Sequence, residues 1–119
     1  MDRKTIGAKG ESVAARYLIE KGYKIIERNW GSKWGEIDLI AASGVIPEVY
    51  VFVEVKTKVG EDFGTPEEMI NRRKLAQIQK MASAYDSAKN KPKRLDVVAV
   101  VLDYTLKPTR VDHYENVYF

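Results

Sequence analysis

The order of helical and strand-like segments predicts an α/β domain with a central mixed β-sheet flanked by helices. Two segments carry apolar residues at helical spacing, and five shorter segments are apolar or alternating in the manner of strands. The second helical segment separates the third strand from the fourth. The predicted order is therefore α-β-β-β-α-β-β, in which helices cover the faces of one sheet.

The N-terminal part of the chain predicts a helix, a short strand and a loop. The helix is expected from about Ile6 to Lys21, and Gly22 is its expected C-cap residue. A short strand is expected from Tyr23 to Arg28. The loop that follows contains Trp30 and Trp34, which places two aromatic side chains just before the next strand.

The middle of the chain predicts an antiparallel hairpin. Its strands are expected at Glu36–Ala42 and Val49–Lys58, with a turn marked by Ser43-Gly44. A connection this short joins antiparallel neighbours. We therefore expect the hairpin to bring Asp38 and Glu54 close enough to share one ion.

The second half of the chain predicts a long helix and two further strands. Thr65-Pro66-Glu67-Glu68 offers an N-cap Thr, Pro at the first helical position and Glu in a capping box, so a helix is expected from there to about Ala88. Leu95–Leu102 is a β-branched run typical of a sheet centre. Arg110–Tyr118 alternates and is expected to form the final edge strand.

Composition limits the class of protein. At 119 residues and 13.6 kDa, the chain is expected to form a single domain, residues 1–119. The absence of cysteine excludes disulfides, thiolate zinc sites and cysteine nucleophiles, and fits a reducing cytoplasm. No apolar run approaches the roughly 20 residues that span a bilayer, and no signal-peptide core is recognisable. We expect a cytoplasmic protein without a membrane partner.

The balance of charge is basic but modest. The net charge is +3 and the isoelectric point is near 9.0, which permits a polyanionic partner without requiring one. Basic residues concentrate in one stretch that contains Arg72, Arg73, Lys74, Lys80, Lys89, Lys91, Lys93 and Arg94.

The pattern Asp38…Glu54-Val55-Lys56 carries the strongest chemical signal. Glu54 and Lys56 are two residues apart on a strand and so lie on one face. Two carboxylates from neighbouring strands favour a divalent cation such as Mg²⁺, and a bound metal with a nearby lysine suits phosphodiester cleavage. The alternative is an ordinary Glu–Lys surface pair at a strand end, which contributes little to stability.

Two further carboxylates are candidates for the same site. Glu11 joins the stripe formed by Ala15 and Leu18 on the first helix, where charged residues are rare unless something compensates them. It could bind the metal, or it could stabilise the helix N-terminus. Glu36 shares its strand face with Asp38 and is either a ligand, a neighbour of the ligands or a solvated carboxylate.

The second helix and the preceding loop carry candidates for contacts with nucleic acid. Lys74 and Gln77 flank the apolar face of the helix, where they either reach a phosphate or the catalytic water, or simply border the core. Arg72 and Arg73 point further outward, as phosphate contacts or as a solvated basic face. The two tryptophans of the loop could stack on a base or pack on the core; they are Trp30 and Trp34.

Arg94 and Asp96 share a strand face and are expected to pair structurally. The chain has a single histidine, His113, which lies far from the Asp-Glu-Lys pattern in sequence. A catalytic triad based on histidine therefore has little support.

These residues form an ordered set of motifs that spans nearly the whole chain. The motifs are Gly7-x-x-Gly10-Glu11, Arg28-Asn29, Gly35-Glu36-Ile37-Asp38-Leu39-Ile40, Phe52-Val53-Glu54-Val55-Lys56-Thr57 and Arg94-x-Asp96-Val97-Val98. The set resembles the YraN-like bacterial proteins, a family grouped with the restriction-endonuclease-like nucleases, PD-(D/E)xK. Within that superfamily, a helix-borne Glu followed by Asp and Glu-x-Lys is most similar to archaeal Holliday junction resolvases.

The resemblance implies a restriction-endonuclease-like fold and assigns roles to particular residues. Glu11, Asp38 and Glu54 correspond to metal-binding carboxylates, and Lys56 corresponds to the catalytic lysine. Gln77 corresponds to the helix-borne glutamine of some branches. The chain departs from the superfamily pattern in having Ile37 before Asp38 where the superfamily name places proline.

The sequence as a whole predicts a Mg²⁺-dependent endonuclease, with Mn²⁺ as a substitute, that hydrolyses phosphodiester bonds of DNA and acts on branched or junction substrates. A homodimer is expected, because resolvases of this fold cut two strands symmetrically. Two alternatives stay open. One is a catalytically silent nucleic-acid-binding module, and the other is a protein-interaction subunit that exposes its two tryptophans.

Overall fold

The computed structural model describes residues 2–60 and 70–117. Within these ranges the secondary structure follows the predicted order, α-β-β-β-α-β-β. The elements are α1 (Arg3–Glu20), β1 (Lys24–Ser32), β2 (Gly35–Ala42), β3 (Tyr50–Val59), α2 (Arg72–Ala84), β4 (Lys93–Leu102) and β5 (Pro108–Tyr114), with a short 3₁₀ turn at Asp86–Ala88.

The five described strands form one mixed sheet in the order β1-β2-β3-β4-β5. Neighbouring strands are antiparallel except for β3 and β4, which run parallel over ten residue pairs from Tyr50–Lys93 to Val59–Leu102. A parallel pair needs a crossover connection, and α2 lies within it. The predicted hairpin of β2 and β3 and the predicted edge position of β5 are confirmed.

The helices cover opposite faces of the sheet, as the α/β class requires. On one face, α1 buries Ala14, Ala15 and Leu18 against side chains that include Val53 and Val98. The opposite face of the sheet packs against α2, whose buried residues are Ile78, Met81 and Ala82. Each core is one face of the sheet, because successive strand residues point to opposite sides.

The first helix begins earlier than predicted. Asp2 is its N-cap residue and accepts a hydrogen bond from the backbone N–H of Thr5 at 2.8 Å, so the helix starts at Arg3. It ends at Glu20, followed by Gly22 with a φ of +99°. A left-handed backbone after the last turn suits glycine, which has no Cβ.

The described second helix begins at an N-cap Asn71 and ends earlier than predicted. Asn71 has an extended backbone and accepts a hydrogen bond from the N–H of Lys74 at 2.9 Å, so α2 begins at Arg72. The start predicted at Thr65–Glu68 lies outside the described residues. At the other end, α2 stops at Ala84 and a 3₁₀ turn replaces the last predicted helical turn.

The prediction of a loop at Trp30 was wrong. Trp30 pairs with Ile37 in the ladder between β1 and β2, and the connection is reduced to a tight turn at Lys33-Trp34. Asn29 tolerates a φ of +50° there, so the strand continues through a position where most residues would end it.

Neither of the two described α-helices is long and apolar enough to cross a membrane.

Candidate metal centre and nucleic-acid interface

The candidate site lies where β2 and β3 separate. Their ladder ends at the pair Leu39–Val53, although β2 stays paired with β1 and β3 stays paired with β4 beyond that point. The next residues along the two strands are Asp38 and Glu54. The sheet therefore forks at the two carboxylates that the sequence singled out.

A cleft of about 430 Å³ opens at this fork between α1, β2 and β3. The lining brings together Glu11, Asp38, Glu54 and Lys56, the four residues predicted to be catalytic. The rest of the lining comprises Arg3, Ile6, Gly7, Val55, Thr57 and Val59. The structure thus places residues from one helix and two strands around one volume open to solvent.

Asp38 is held at the fork by the backbone of the neighbouring strand. One of its carboxylate oxygens, Oδ2, accepts a hydrogen bond from the N–H of Val55 at 2.8 Å. This bond takes the place of a ladder hydrogen bond that the separating strands can no longer make. The carboxylate of Asp38 is therefore oriented by the same divergence that opens the cleft.

Glu54 is buried, with 6% of its surface exposed. Its Oε1 lies 3.9 Å from the Nζ of Lys56, and its Oε2 lies 3.7 Å from the Nζ of Lys74. Both separations exceed hydrogen-bond length. Oε2 is buried and has no hydrogen-bond partner among the described residues. Burying a charged carboxylate without a hydrogen bond to each oxygen lowers the stability of the folded state.

Burial and the negative charge of Asp38 raise the pKa of the Glu54 carboxyl to about 7. Burial is the larger cause, because it disfavours the ionised form. The positive charges of Lys74 and Lys56 oppose the rise but do not cancel it. Perturbed carboxyl groups in a cleft of this kind are concentrated at functional sites.

Glu11 reaches the same cleft from α1. Its carboxyl group has a raised pKa, caused first by burial and then by the negative charges of Asp38 and Glu36. Gly10 allows the approach, because a Cβ at that position would overlap the side chain of Thr57 on β3. The glycine before Glu11 in the motif therefore allows α1 to pack closely against β3.

The donor set suits a hard divalent cation. Mg²⁺ and Mn²⁺ prefer carboxylate oxygens, and Glu54 offers a buried oxygen that has no hydrogen bond. The donor oxygens of Glu11, Asp38 and Glu54 do not, however, form a group within 4.8 Å of one another.

Among the described residues, the acidic and histidine donors that do lie within 4.8 Å of one another are Asp96, His113 and Glu115. Asp96 has no exposed surface, and both of its oxygens are fully used. Oδ1 accepts from the Nε of Arg94 at 2.8 Å and from the N–H of Asn116 at 2.9 Å. Oδ2 accepts from Arg94 Nη2 at 2.9 Å and lies 2.7 Å from His113 Nε2. A guanidinium already occupies the place that a cation would take.

This second cluster adds His113 to the predicted pair of Arg94 and Asp96. That pairing is confirmed, and His113, on the next strand along the chain, joins it. Burial alone would raise the pKa of Asp96; hydrogen bonds from His113 and Arg94 outweigh it and hold that pKa below its usual range. Only the pairing of β4 with β5, which places His113 beside Val98, brings the imidazole there.

The remaining predicted residues do not line this cleft. Glu36 is exposed and acts on Glu11 through its charge. Gln77 lies with its amide beside Gly35 at the start of β2, so the structure does not bring it to Glu54. Arg72 and Arg73 are exposed at the start of α2.

The two tryptophans pack against the protein core rather than standing free for stacking on a base. Trp30 and Trp34 are half-buried and contact the core on the α2 face. The ring of Trp30 meets that of Tyr85 edge-on with centroids 5.2 Å apart, and the Nζ of Lys33 lies 4.9 Å above the ring of Trp34. The packing alternative raised by the sequence is therefore the one seen in the structure for Trp30.

Comparison with known proteins finds relatives over nearly the whole chain. A family described as "Uncharacterised protein family UPF0102" matches residues 10–100. A UPF0102 protein of Pelotomaculum thermopropionicum is 40% identical over 98% of this chain and 97% of its own. UPF0102 proteins of Rhodococcus opacus and Beutenbergia cavernae are 41% and 44% identical, over 95% and 94% of both chains. These matches confirm the resemblance to the YraN-like family, whereas its grouping with nucleases stays a prediction.

Proposed function

The chain belongs to the uncharacterised protein family UPF0102, and from the geometry of its cleft we propose that it is a metal-dependent endonuclease that hydrolyses phosphodiester bonds of DNA. One observation carries the proposal. At the fork of the sheet, the buried Glu54 lies beside Asp38, and its Oε2 has no hydrogen bond within the described part of the chain, while its Oε1 lies 3.9 Å from Lys56. A purely structural carboxylate would be satisfied.

Glu11, Asp38 and Glu54 are the residues that would hold Mg²⁺ or Mn²⁺. When bound, such an ion polarises a phosphoryl oxygen and lowers the pKa of water. Asp38 is oriented for this task by the N–H of Val55, and Glu54 is fixed by burial. Glu11 approaches from the helix on the other side of the cleft.

Lys56 is the residue proposed to contact the reacting phosphate. Its side chain is 35% exposed, so the ammonium can meet a phosphate that enters from solvent while its stem stays on the strand. There it stabilises the negative charge that develops on the phosphoryl oxygens as the bond to the leaving oxygen breaks. Glu54 holds the ammonium near the fork.

The substrate is expected to follow the basic side of the cleft. Arg72 and Arg73 are exposed at the N-terminal end of α2, and Lys74 beside them already reaches the fork. Contacts of this kind bind the phosphates of DNA without reading its sequence. A branched or junction substrate, a homodimer and a cytoplasmic location complete the proposal. Trp30 and Trp34 are half-buried, so only the exposed part of each ring could contact DNA.

One observation favours a second candidate, a catalytically silent nucleic-acid-binding module. The oxygens of the three carboxylates do not all lie within 4.8 Å of one another. A chain that kept the basic surface but could not draw these carboxylates together would bind DNA without cleaving it. Binding of this kind would be independent of metal and would weaken steeply with salt.

The test is cleavage of end-labelled linear, nicked, flapped and four-way-junction DNA in Mg²⁺, Mn²⁺ or EDTA. Wild type is expected to cut in either metal and not in EDTA. Glu54→Gln and Lys56→Met are expected to lose cutting by at least about a hundredfold, as removal of groups that stabilise the transition state does. Glu20→Gln, on the exposed surface of α1, is the matched control and should cut like wild type.

Cutting that persists in both variants would refute the proposed site. Salt-sensitive binding of DNA by wild type, with no cutting in any metal, would establish the binding module instead.

A further inference from the structure

The carboxylate of Glu54 faces two ammonium groups rather than one. Lys56 follows it on the same strand, and Lys74 comes from α2 on the face of the sheet opposite α1. Each lysine is close to a different oxygen of the carboxylate: Lys56 to Oε1 and Lys74 to Oε2. The sequence pattern predicted only the first.

Lys74 lies in the first turn of its helix, near the fork. The side chain of Asn71 accepts a hydrogen bond from the N–H of Lys74 at 2.9 Å, which fixes Lys74 in the first turn of α2. Its side chain is 35% exposed while that of Glu54 is 8% exposed. The lysine therefore enters the fork from solvent, and its ammonium can leave again without unfolding the helix.

Lys74 also faces the one buried oxygen for which the described part of the chain supplies no hydrogen bond. Its Nζ is 3.7 Å from Oε2, too far for a hydrogen bond but near enough for strong electrostatic attraction. This oxygen is the one that the proposed metal would take. A positive charge of the chain itself thus stands next to the proposed position of the cation.

We propose that Lys74 is the internal counter-charge of the metal-free site, which competes with the divalent cation for Glu54 and moves away from Oε2 when the cation binds. This inference rests on the proposed function, because it assumes the metal centre formed by Glu11, Asp38 and Glu54. Lys74 is then a positioning residue: it keeps Glu54 buried and ionisable until metal and DNA arrive, and its released ammonium turns towards the DNA phosphates.

The proposal predicts opposite effects of Lys74 on the metal-free and the metal-bound protein. Without metal, loss of the ammonium leaves Glu54 with one counter-charge and destabilises the fold. With metal, the same loss removes a competitor and a repulsive charge. A lysine that only supported the helix, or only contacted DNA, would not change metal affinity in this direction.

The experiment is a calorimetric titration of Mg²⁺ into wild type, Lys74→Met and Lys74→Arg at pH 9, without DNA. The high pH favours the ionised form of Glu54, so that protons compete little with the metal. Lys74→Met is expected to bind Mg²⁺ about tenfold more tightly than wild type, since one neighbouring positive charge is gone. Lys74→Arg keeps the charge and should bind within about twofold of wild type. Lys80→Met, on the exposed side of the same helix, is the matched control.

A second readout is the melting temperature of the same proteins in EDTA and in saturating Mg²⁺. Lys74→Met is expected to melt below wild type in EDTA and to gain more from Mg²⁺ than wild type does. Should Lys74→Met fail to fold, Lys74→Gln replaces it with a shorter polar side chain and carries the same two expectations.

The possible outcomes separate this inference from the proposed function. Equal Mg²⁺ affinity in wild type and Lys74→Met, or weaker affinity in the variant, overturns the role of Lys74 and leaves the metal centre standing. Binding by Lys74→Met and none by wild type supports the role in its strongest form. No Mg²⁺ binding by either protein overturns the inference together with the metal centre.

Discussion

Two buried carboxylates, Glu54 on β3 and Asp96 on β4, lie on neighbouring strands and have opposite surroundings. They are offset by one residue pair, since Glu54 is paired with Val97 and Asp96 with Val53. Asp96 makes hydrogen bonds through both oxygens and has a lowered pKa. Glu54 has an oxygen without a hydrogen bond and a pKa raised to about 7.

The difference separates a carboxylate that the fold satisfies from one that the proposed function would use. Asp96 joins three parts of the fold: Arg94 on its own strand, His113 on β5 and the backbone of Asn116 after β5. The network extends to the end of α1, because Lys21 donates to the Nδ1 of His113 at 3.1 Å. Among the residues that the structure describes, no such network holds Glu54, whose nearest ammonium groups are at 3.7 and 3.9 Å. Its burial therefore needs an explanation outside stability.

The largest expected effect is the loss of Asp96. Asp96→Asn should lower the free energy of unfolding by about 3–5 kcal/mol, the range for breaking a buried ion pair, because Arg94 and His113 lose their shared acceptor. Urea unfolding followed by circular dichroism measures the change. Asp112→Asn, which affects a more exposed pair on β5, is the control. A loss below about 1 kcal/mol would mean that the ion pairs of Asp96 contribute no more to stability than exposed pairs do.

The opposite sign is expected for Glu54. Glu54→Gln should raise the free energy of unfolding at pH 8.5 by roughly 2–3 kcal/mol, because it removes a buried charge whose pKa is raised from 4.5 to about 7. The measurement is urea unfolding in EDTA, so that no metal compensates the wild-type carboxylate. A variant less stable than wild type would mean that the attraction of the two lysines outweighs the cost of burying the charge of Glu54.

The pH dependence of this difference sharpens the comparison. The folded pKa of Glu54 lies above the unfolded value, so protonation favours the folded state. The contribution of Glu54 to stability is therefore fully present below about pH 4.5 and is lost as the pH rises through about 7. The advantage of Glu54→Gln should grow over that window. Asp96 has the opposite sign, since its lowered pKa gives a stability that is lost only on acidification.

A smaller effect is expected at the edge of the Asp96 network. Arg94 donates to the hydroxyl of Tyr23 at 2.6 Å, and this hydroxyl in turn donates to Glu115 at 3.1 Å. Tyr23→Phe removes both bonds while Asp96 keeps all of its own. The expected loss in free energy of unfolding is about 1 kcal/mol. A loss as large as that of Asp96→Asn would show that Tyr23, rather than Asp96, is the centre of the network.

The smallest effect is expected for a fully solvated pair. Arg16 and Glu20 lie one turn apart on α1, and their side chains are 84% and 66% exposed. Arg16→Ala should change the free energy of unfolding by at most about 0.5 kcal/mol, as exposed pairs of this spacing do. The changes in unfolding free energy at Glu54 and Asp96 are expected to exceed this value several-fold.

The sequence predicted the framework of the site because that framework depends on local patterns. Alternation along β3 placed Glu54 and Lys56 on one face, and the short turn predicted the hairpin that brings Asp38 beside them. The spacing of Glu11 with Ala15 and Leu18 predicted its place on the inner side of α1. Each of these inferences needs only the period of one element and the length of one connection.

The rest depends on how distant elements meet, which no local pattern encodes. The point at which β2 and β3 separate, the ion pair of Lys74 with Glu54 and the contact of His113 with Asp96 each depend on strand register or on the placement of a helix against the sheet. The N-cap Asn71, at which the described α2 begins, was overlooked in the sequence interpretation, whereas the start predicted at Thr65 lies outside the described residues. Gln77 lies on the predicted flank of α2, yet the position of the helix takes it to Gly35.

The central claim is that Glu54 is kept in a buried and unsatisfied state for the chemistry of phosphodiester cleavage. The most direct measurement is Mg²⁺-dependent cleavage of labelled DNA by Glu54→Gln, using protein whose folded state has been verified by urea unfolding. The account predicts a variant that is folded, more stable than wild type at pH 8.5 and unable to cut any of the DNA substrates that wild type cuts. Cleavage at the wild-type rate by this folded variant would contradict it.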